Sequence, residues 1–274
     1  MADVAAKLDI ITSNPLLIQR KDGGVVRMVL DNPPANTLSE AMLDALQFAL
    51  DDAANDPKTR IIIIAANGNV FCAGHDLKEL TARREDEDKG RAYFQDLMQR
   101  CASVMQAIVN NPKPVIAEVN GLATAAGCQL VASCDLAIAS EDATFCTPGV
   151  HIGLFCSTPM VALSRNVLRK HAMEMLLTGE AVTPSHAREI GLINRVVPVD
   201  YLEKVTLQYA QNIAKKSAHT IKIGKQAFYQ QADMNLADAY EHTARVMTEN
   251  MLAADAEEGI DAFLEHRDAE WRDE

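Results

Sequence analysis

Two stretches of this sequence place small residues where a strand signal gives way to a helix signal. The first is Asn69-Val70-Phe71-Cys72-Ala73-Gly74-His75-Asp76-Leu77-Lys78-Glu79-Leu80. The second is Val119-Asn120-Gly121-Leu122-Ala123-Thr124-Ala125-Ala126-Gly127-Cys128-Gln129-Leu130. Small side chains let a ligand reach the main chain, and the first turn of a helix carries N–H groups without an intrahelical partner. The helix dipole there also favours negative charge. Two such N–H groups from separate loops, aimed at one oxygen, would form an oxyanion hole. Tight packing alone would select the same small residues, so neither stretch decides the matter by itself. His75 in the first stretch could orient a carboxylate or supply a proton, although plain contact with a ligand is the simpler role. Asp76 has the character of a helix cap.

The elements that must hold these loops follow from hydrophobic patterning. Leu16 to Arg20 and Val25 to Leu30 flank Lys21-Asp22-Gly23-Gly24 and read as a β-hairpin. Ser39 caps a helix predicted to run to about Ala54, with Met42, Leu43, Leu46 and Leu50 at helical spacing. Arg60 to Ala65 has the pattern of a strand buried on both faces. After a charged stretch from Arg83 to Lys89, a long helix is predicted to end near Asn110. Pro114 to Val119 is the next strand, Ala123 to Ser133 a helix, and Leu136 to Ala139, Thr144 to Cys146 and Leu192 to Val197 short strands. Tyr201 to Trp271 reads as three or four amphipathic helices. This order predicts an α/β core over residues 1–200 and a helical region over 201–274.

Bulk properties narrow the function classes. A net charge of −12 argues against nucleic-acid and anionic-membrane partners, both of which require a basic face. It leaves room for a phosphate-bearing small ligand, because a few local Lys and Arg suffice. The six cysteines Cys72, Cys101, Cys128, Cys134, Cys146 and Cys156 form no C-x-x-C pair and read as reduced core residues. No His, Cys and Asp spacing indicates a metal. The start MADVAAKLDIITSN has no basic region followed by an apolar one, and it carries acids without Arg. The sequence alone therefore points to the cytoplasm.

Further short segments accompany the two loops in order. They are Pro34-Ala35-Asn36-Thr37-Leu38, Lys113-Pro114-Val115-Ile116-Ala117-Glu118, Ser133-Cys134-Asp135, Phe145-Cys146-Thr147-Pro148, Leu177-Thr178-Gly179-Glu180, Glu258-Gly259-Ile260 and Ala262-Phe263-Leu264-Glu265. With Phe71 to Leu77 and Ala125 to Cys128, they make the chain resemble the crotonase superfamily, the enoyl-CoA hydratase and isomerase family. Within it the chain is most similar to the group of enoyl-CoA hydratase domain-containing protein 3. The resemblance implies an α/β crotonase (ClpP/crotonase-like) fold, a spiral of ββα units with a helical C-terminal trimerisation region. It implies an acyl-CoA partner, which is substrate or ligand rather than cofactor, and a homotrimer or a hexamer built as a dimer of trimers. The oxyanion hole would use the N–H groups of Ala73 and Ala126, with His75 beside them. Ala35, Asn36, Thr37, Leu38, Cys72, Asp76 and Leu77 would line the CoA groove. Gly127, Gln129, Pro148, Gly149 and Leu154 would face the acyl end, and Phe263 and Arg267 would close the site from the tail.

The pattern breaks where proton transfer belongs. Hydration of an enoyl thioester needs one group to activate water and another to protonate the α-carbon. The resemblance puts two glutamates in those places, where this chain has Gln129 and Gly149. An amide is no base near neutral pH, and glycine offers no side chain. The sequence therefore predicts an acyl-CoA-binding family member that polarises a thioester and lacks conventional hydratase chemistry. The alternatives are decarboxylation of the methylmalonyl-CoA type, in which His75 takes part and no glutamate pair is needed, and non-catalytic acyl-CoA binding.

Overall fold

Gly23 and Gly24 both adopt left-handed φ, 54° and 83°, as a two-residue hairpin turn requires. In the computed structural model, which describes residues 9–274, that turn joins β2 (Leu17–Asp22) to β3 (Val25–Leu30), with β1 (Asp9–Asn14) on the outer side of β2. Ser39 then caps α1 (Glu40–Asn55), its hydroxyl accepting from the Met42 N–H at 3.2 Å. The chain continues through β4 (Ile61–Ala66), β5 (Val70–Cys72), α2 (Leu77–Ala82) and α3 (Arg91–Val109). Next come β6 (Val115–Val119), β7 (Leu122–Thr124), α4 (Ala126–Ser133), β8 (Leu136–Ser140) and β9 (Thr144–Cys146). A 3₁₀ turn over Pro148–Ile152 leads to α5 (Pro159–Asn166), α6 (Arg169–Thr178), α7 (Pro184–Glu189) and β10 (Arg195–Val197). Four helices follow: α8 (Leu202–Ala214), α9 (Ala218–Ala232), α10 (Leu236–Met251) and α11 (Ala254–Glu265).

The strands form two sheets. Seven lie in the order β1-β2-β3-β4-β6-β8-β10, and three lie in the order β5-β7-β9. Three times the chain contributes one strand to the large sheet, the next to the small sheet, and then a helical segment. This is the expected spiral of ββα units, a repeat of structure with no repeat of sequence. β4 is buried on both faces as predicted: Ile62 and Ile64 join the main core, whereas Ile61, Ile63 and Ala65 face a second cluster. That second cluster includes Leu202, Leu207 and Ala210 of α8. α8 therefore packs on the sheet, and α9 is tied to the same core through Lys225 and Tyr229, which donate to the Asp135 carboxylate at 2.7 and 2.9 Å.

Two elements differ from the sequence reading. The helix expected over Ala123 to Ser133 is split, because Leu122–Thr124 pairs with β5 and β9. An alanine-rich run has helical propensity, and pairing on both sides overrides it. The strand expected from Leu192 shortens to β10, because the Leu192 and Ile193 N–H groups turn back to the Ala187 carbonyl at 2.8 and 3.3 Å. Among the described residues no helix is long and apolar enough to cross a membrane. The reading of the start MADVAAKLDIITSN as a poor leader falls in part on residues 1–8, which lie outside the described residues.

Candidate functional site

β5 and β7 pair in parallel, Val70 with Leu122 and Cys72 with Ala123, so the two small-residue loops leave the small sheet at the same edge. Glycine allows them to touch. A Cβ at Gly121 would collide with the Asn69 carbonyl, and a Cβ at Gly127 would collide with the Cys72 carbonyl. At Gly74, where φ is 84°, a Cβ would lie 3.1 Å from the Ala126 nitrogen. The Gly74–His75 turn thus lies directly against the start of α4. Ala125 precedes that helix with φ 52° and ψ −117°, a strained conformation for any residue but glycine, and no side chain caps the first turn. The first intrahelical donor is Gln129, whose N–H reaches the Ala125 carbonyl at 3.0 Å. The Ala126 N–H therefore stands ahead of the helix's own hydrogen bonds.

On the first loop the structure departs from expectation. The Ala73 N–H is already engaged, donating to the Ala35 carbonyl at 3.0 Å. The Gly74 N–H faces the Cys72 sulfur. His75 has no partner for its main-chain N–H among the described residues. Leu38 N–H donates to the Gly74 carbonyl at 2.8 Å, and Leu38 and His75 form a parallel bridge. Residues 35–38 are thereby knitted to residues 73–75, which uses the Ala73 donor for structure. No signal in the sequence distinguishes which N–H of such a turn stays open.

The His75 ring is held by its Nδ1, 3.2 Å from the Leu38 carbonyl. A carbonyl only accepts, so Nδ1 carries the proton, and burial holds the ring's pKa below its ordinary value. The buried Nε2 has no hydrogen-bond partner among the described residues. This neutral ring offers a lone pair. It can accept a proton or a hydrogen bond, and the proton-donor role considered from the sequence does not fit that state.

Gln129 is buried one turn into α4, and its side-chain oxygen also lacks a partner among the described residues. Gly149 is buried in the 3₁₀ turn, where a Cβ would lie 3.0 Å from both the Cys156 sulfur and the Leu154 carbonyl. The turn is therefore closed around glycine. Glu118, the acid nearest upstream of Gln129, is buried on β6 and paired with Arg27 at 2.5 Å, in the layer covered by α8. All six cysteines are buried free thiols. Burial pushes Cys72 up to about 12 and raises Cys146 and Cys156 as well, so none is poised as a thiolate nucleophile.

The sequence matches the family described as enoyl-CoA hydratase/isomerase over residues 20–274. The chain belongs to this family. It is 47% identical over 258 residues to the Xenopus laevis enoyl-CoA hydratase domain-containing protein 3, mitochondrial, covering 94% of this chain and 86% of that protein. The human protein of the same description is 48% identical over 256 residues, covering 93% and 83%. Among solved structures, an enoyl-CoA hydratase from Mycobacterium smegmatis superposes with a TM-score of 0.89 at 48% identity, covering 94% of this chain and 99% of that one. These likenesses bear out the crotonase fold with its C-terminal helices. They overturn the cytoplasmic address read from the sequence, because the similar vertebrate proteins are described as mitochondrial.

Against this family background, the remaining expected contacts divide into two sets. Asn36 is buried at φ 49°, and its amide donates to the Asn67 and Val70 carbonyls at 2.9 and 2.7 Å. Thr37 accepts from the Asn32 amide at 3.3 Å. Asp76 caps α2, accepting from the Lys78 and Glu79 N–H groups at 2.8 and 3.4 Å. The hydrogen bonds of these polar side chains are made within the loops and the first turn of α2. Leu77 is exposed at the end of the first loop, Leu154 is exposed just after the 3₁₀ turn, and Pro148 opens that turn. Phe263 and Arg267 are not gathered in. Phe263 is exposed on α11, which packs on α9 and α10, and the Arg267 guanidinium is held by Glu258 at 2.6 Å and Glu265 at 2.6 Å. No hydrogen bond from α11 reaches either loop among the described residues.

Proposed function

We propose that this chain binds an acyl-CoA thioester with its carbonyl oxygen between the N–H groups of Ala126 and His75, and that it stabilises the enolate form without paired-carboxylate hydration. The observation that carries this reading is the contact between the uncapped start of α4 and the Gly74–His75 turn. Charge that develops on the thioester oxygen would meet two fixed donors and the positive end of the α4 dipole. Those groups are main chain, so no substitution in the loops other than proline removes them. At the acyl end, Gln129 provides a neutral amide and Gly149 no side chain, so neither takes a proton from water. The neutral His75 ring lies on the first loop beside these donors, and its Nε2, without a partner among the described residues, makes it an acceptor.

Vibrational spectroscopy of a carbonyl-13C-labelled acyl-CoA tests this. The stretch of the bound thioester should move to lower frequency, because both donors polarise the bond. An unshifted band from bound ligand refutes the oxyanion hole, and failure of acyl-CoA to bind at millimolar concentration refutes the whole reading. Incubation with methylmalonyl-CoA, followed by mass spectrometry, tests decarboxylation on the same site.

The proposal extends to assembly. α9, α10 with the residue that ends it, and α11 leave Phe228, Leu236, Tyr240, Met247, Met251, Leu252 and Phe263 exposed, and large exposed apolar patches mark interfaces. Packing of three copies about one axis, or of two such trimers, would cover it and bring a neighbour's α11 toward the CoA groove. Light scattering that gives a monomer mass at micromolar concentration refutes this part.

A further inference from the structure

His171 and Glu174 sit three residues apart on α6, a spacing that puts both on one helix face. His186 comes from α7, whose start is fixed by Thr183 accepting from the His186 N–H at 3.3 Å. The ligating atoms of these three side chains all lie within 4.8 Å of one another. The two imidazoles meet edge to face with centroids 5.9 Å apart. Together with Thr178, Glu180 and Thr183, the three residues line a cavity of about 350 Å³. His186 Nδ1 lies 3.5 Å from the Glu189 carboxylate. A carboxylate only accepts, so this contact keeps the proton on Nδ1 and leaves the lone pair on Nε2, as outer carboxylates do for metal-binding histidines.

We propose that His171, Glu174 and His186 bind a divalent transition cation, with zinc the best chemical match, and that the ion staples α7 to α6. Two imidazole nitrogens and one carboxylate oxygen are a zinc donor set, with the remaining coordination left to water. Magnesium and calcium favour all-oxygen sites and fit it less well. Bonds to zinc of about 2.0–2.1 Å draw the three donors closer than they stand here, a change that side-chain rotation at a part-exposed site supplies. Sequence spacing did not reveal this group, because tertiary packing brings α7 to α6.

The site lies behind the turn that carries Gly149. On the same helix, the Met175 carbonyl accepts from Thr147 Oγ1 at 2.9 Å and the Thr178 carbonyl from His151 Nε2 at 2.8 Å. An ion on α6 and α7 would therefore brace the backing of the acyl-end turn. It takes no part in the thioester chemistry proposed above, and its test is independent of that chemistry.

The experiment is zinc titration of the untagged full-length protein by calorimetry, with thermal melting in parallel. Submillimolar zinc should bind with one ion per chain and raise the melting temperature. His171→Ala and His186→Ala should each weaken binding by at least about tenfold, the loss expected even for an outer ligand partner, and abolish the melting shift. His171→Asn and His186→Gln carry the same test if an alanine variant fails to fold by circular dichroism. Cobalt in place of zinc should give ligand-field bands without thiolate charge transfer. Absence of zinc uptake, uptake unchanged in both histidine variants, or a thiolate band overturns the proposal.

Discussion

The two sides of the candidate site are built differently. On one side, residues 35–38, 73–75 and 125–127 form a wall of main chain, locked by the Ala73–Ala35 and Leu38–Gly74 hydrogen bonds and by the close approach of Gly127 to Cys72. On the other side, Gln129 and the turn at Gly149 stand where the family resemblance places carboxylates. Position 126 carries an alanine, whose N–H is part of the main chain. Position 129 has glutamine in place of glutamate and has no carboxylate to take a proton. A function carried by peptide groups survives a change of side chain, whereas one carried by a side chain ends with it.

The largest expected effect lies in that contrast. Crotonyl-CoA hydration, followed by loss of the double-bond absorbance, should fall about 10⁴- to 10⁸-fold below that of a carboxylate-bearing relative, from two missing contributions of about 10²–10⁴ each. Installing the acids as Gln129→Glu with Gly149→Glu should not restore the rate, because a side chain at 149 meets the Cys156 sulfur and the Leu154 carbonyl. A double variant that reaches the relative's rate would erase the distinction between the two walls.

Packing of the main-chain wall is tested next. Gly127→Ala forces a methyl against the Cys72 carbonyl and should destabilise the fold by about 3 kcal/mol, read from the denaturant midpoint. Little change in the midpoint would mean that the loops are not held by this contact. Ala125→Gly should act in the opposite direction, by about 1 kcal/mol, because glycine adopts φ 52° without strain. A loss of stability there would show that the Ala125 methyl contributes packing that outweighs the strain.

The smallest effect is a pH dependence. Burial holds the His75 pKa below 6.5 in the folded protein, so below pH 6.5 the unfolded chain takes up a proton that the folded one resists. The stability from this neutral ring is therefore complete above pH 6.5 and declines as the pH falls toward the lowered folded value. Urea midpoints should drop over that range, and less steeply in His75→Asn. Parallel profiles for the two proteins would mean that the ring is solvated.

Much of the fold was legible because its signals are local. The hairpin at Gly23-Gly24, the Ser39 cap, the doubly buried β4 and the four tail helices each follow from turn chemistry or hydrophobic period within a short window. The glutamine at 129 and the glycine at 149 need no coordinates to be read, and that carboxylates belong in those places is what the family resemblance implies. Tertiary structure decided what depends on partners distant in the chain. It split Ala123–Ser133 by pairing Leu122–Thr124 between β5 and β9, and it engaged the Ala73 N–H with Ala35, leaving His75 as the open donor. It also joined His186 to His171 and Glu174 across two helices. The amino-acid order determines which donors, acceptors and acids exist. Only the folded chain determines which of them are already bonded to each other, because that pairing is settled by contacts between residues far apart in sequence.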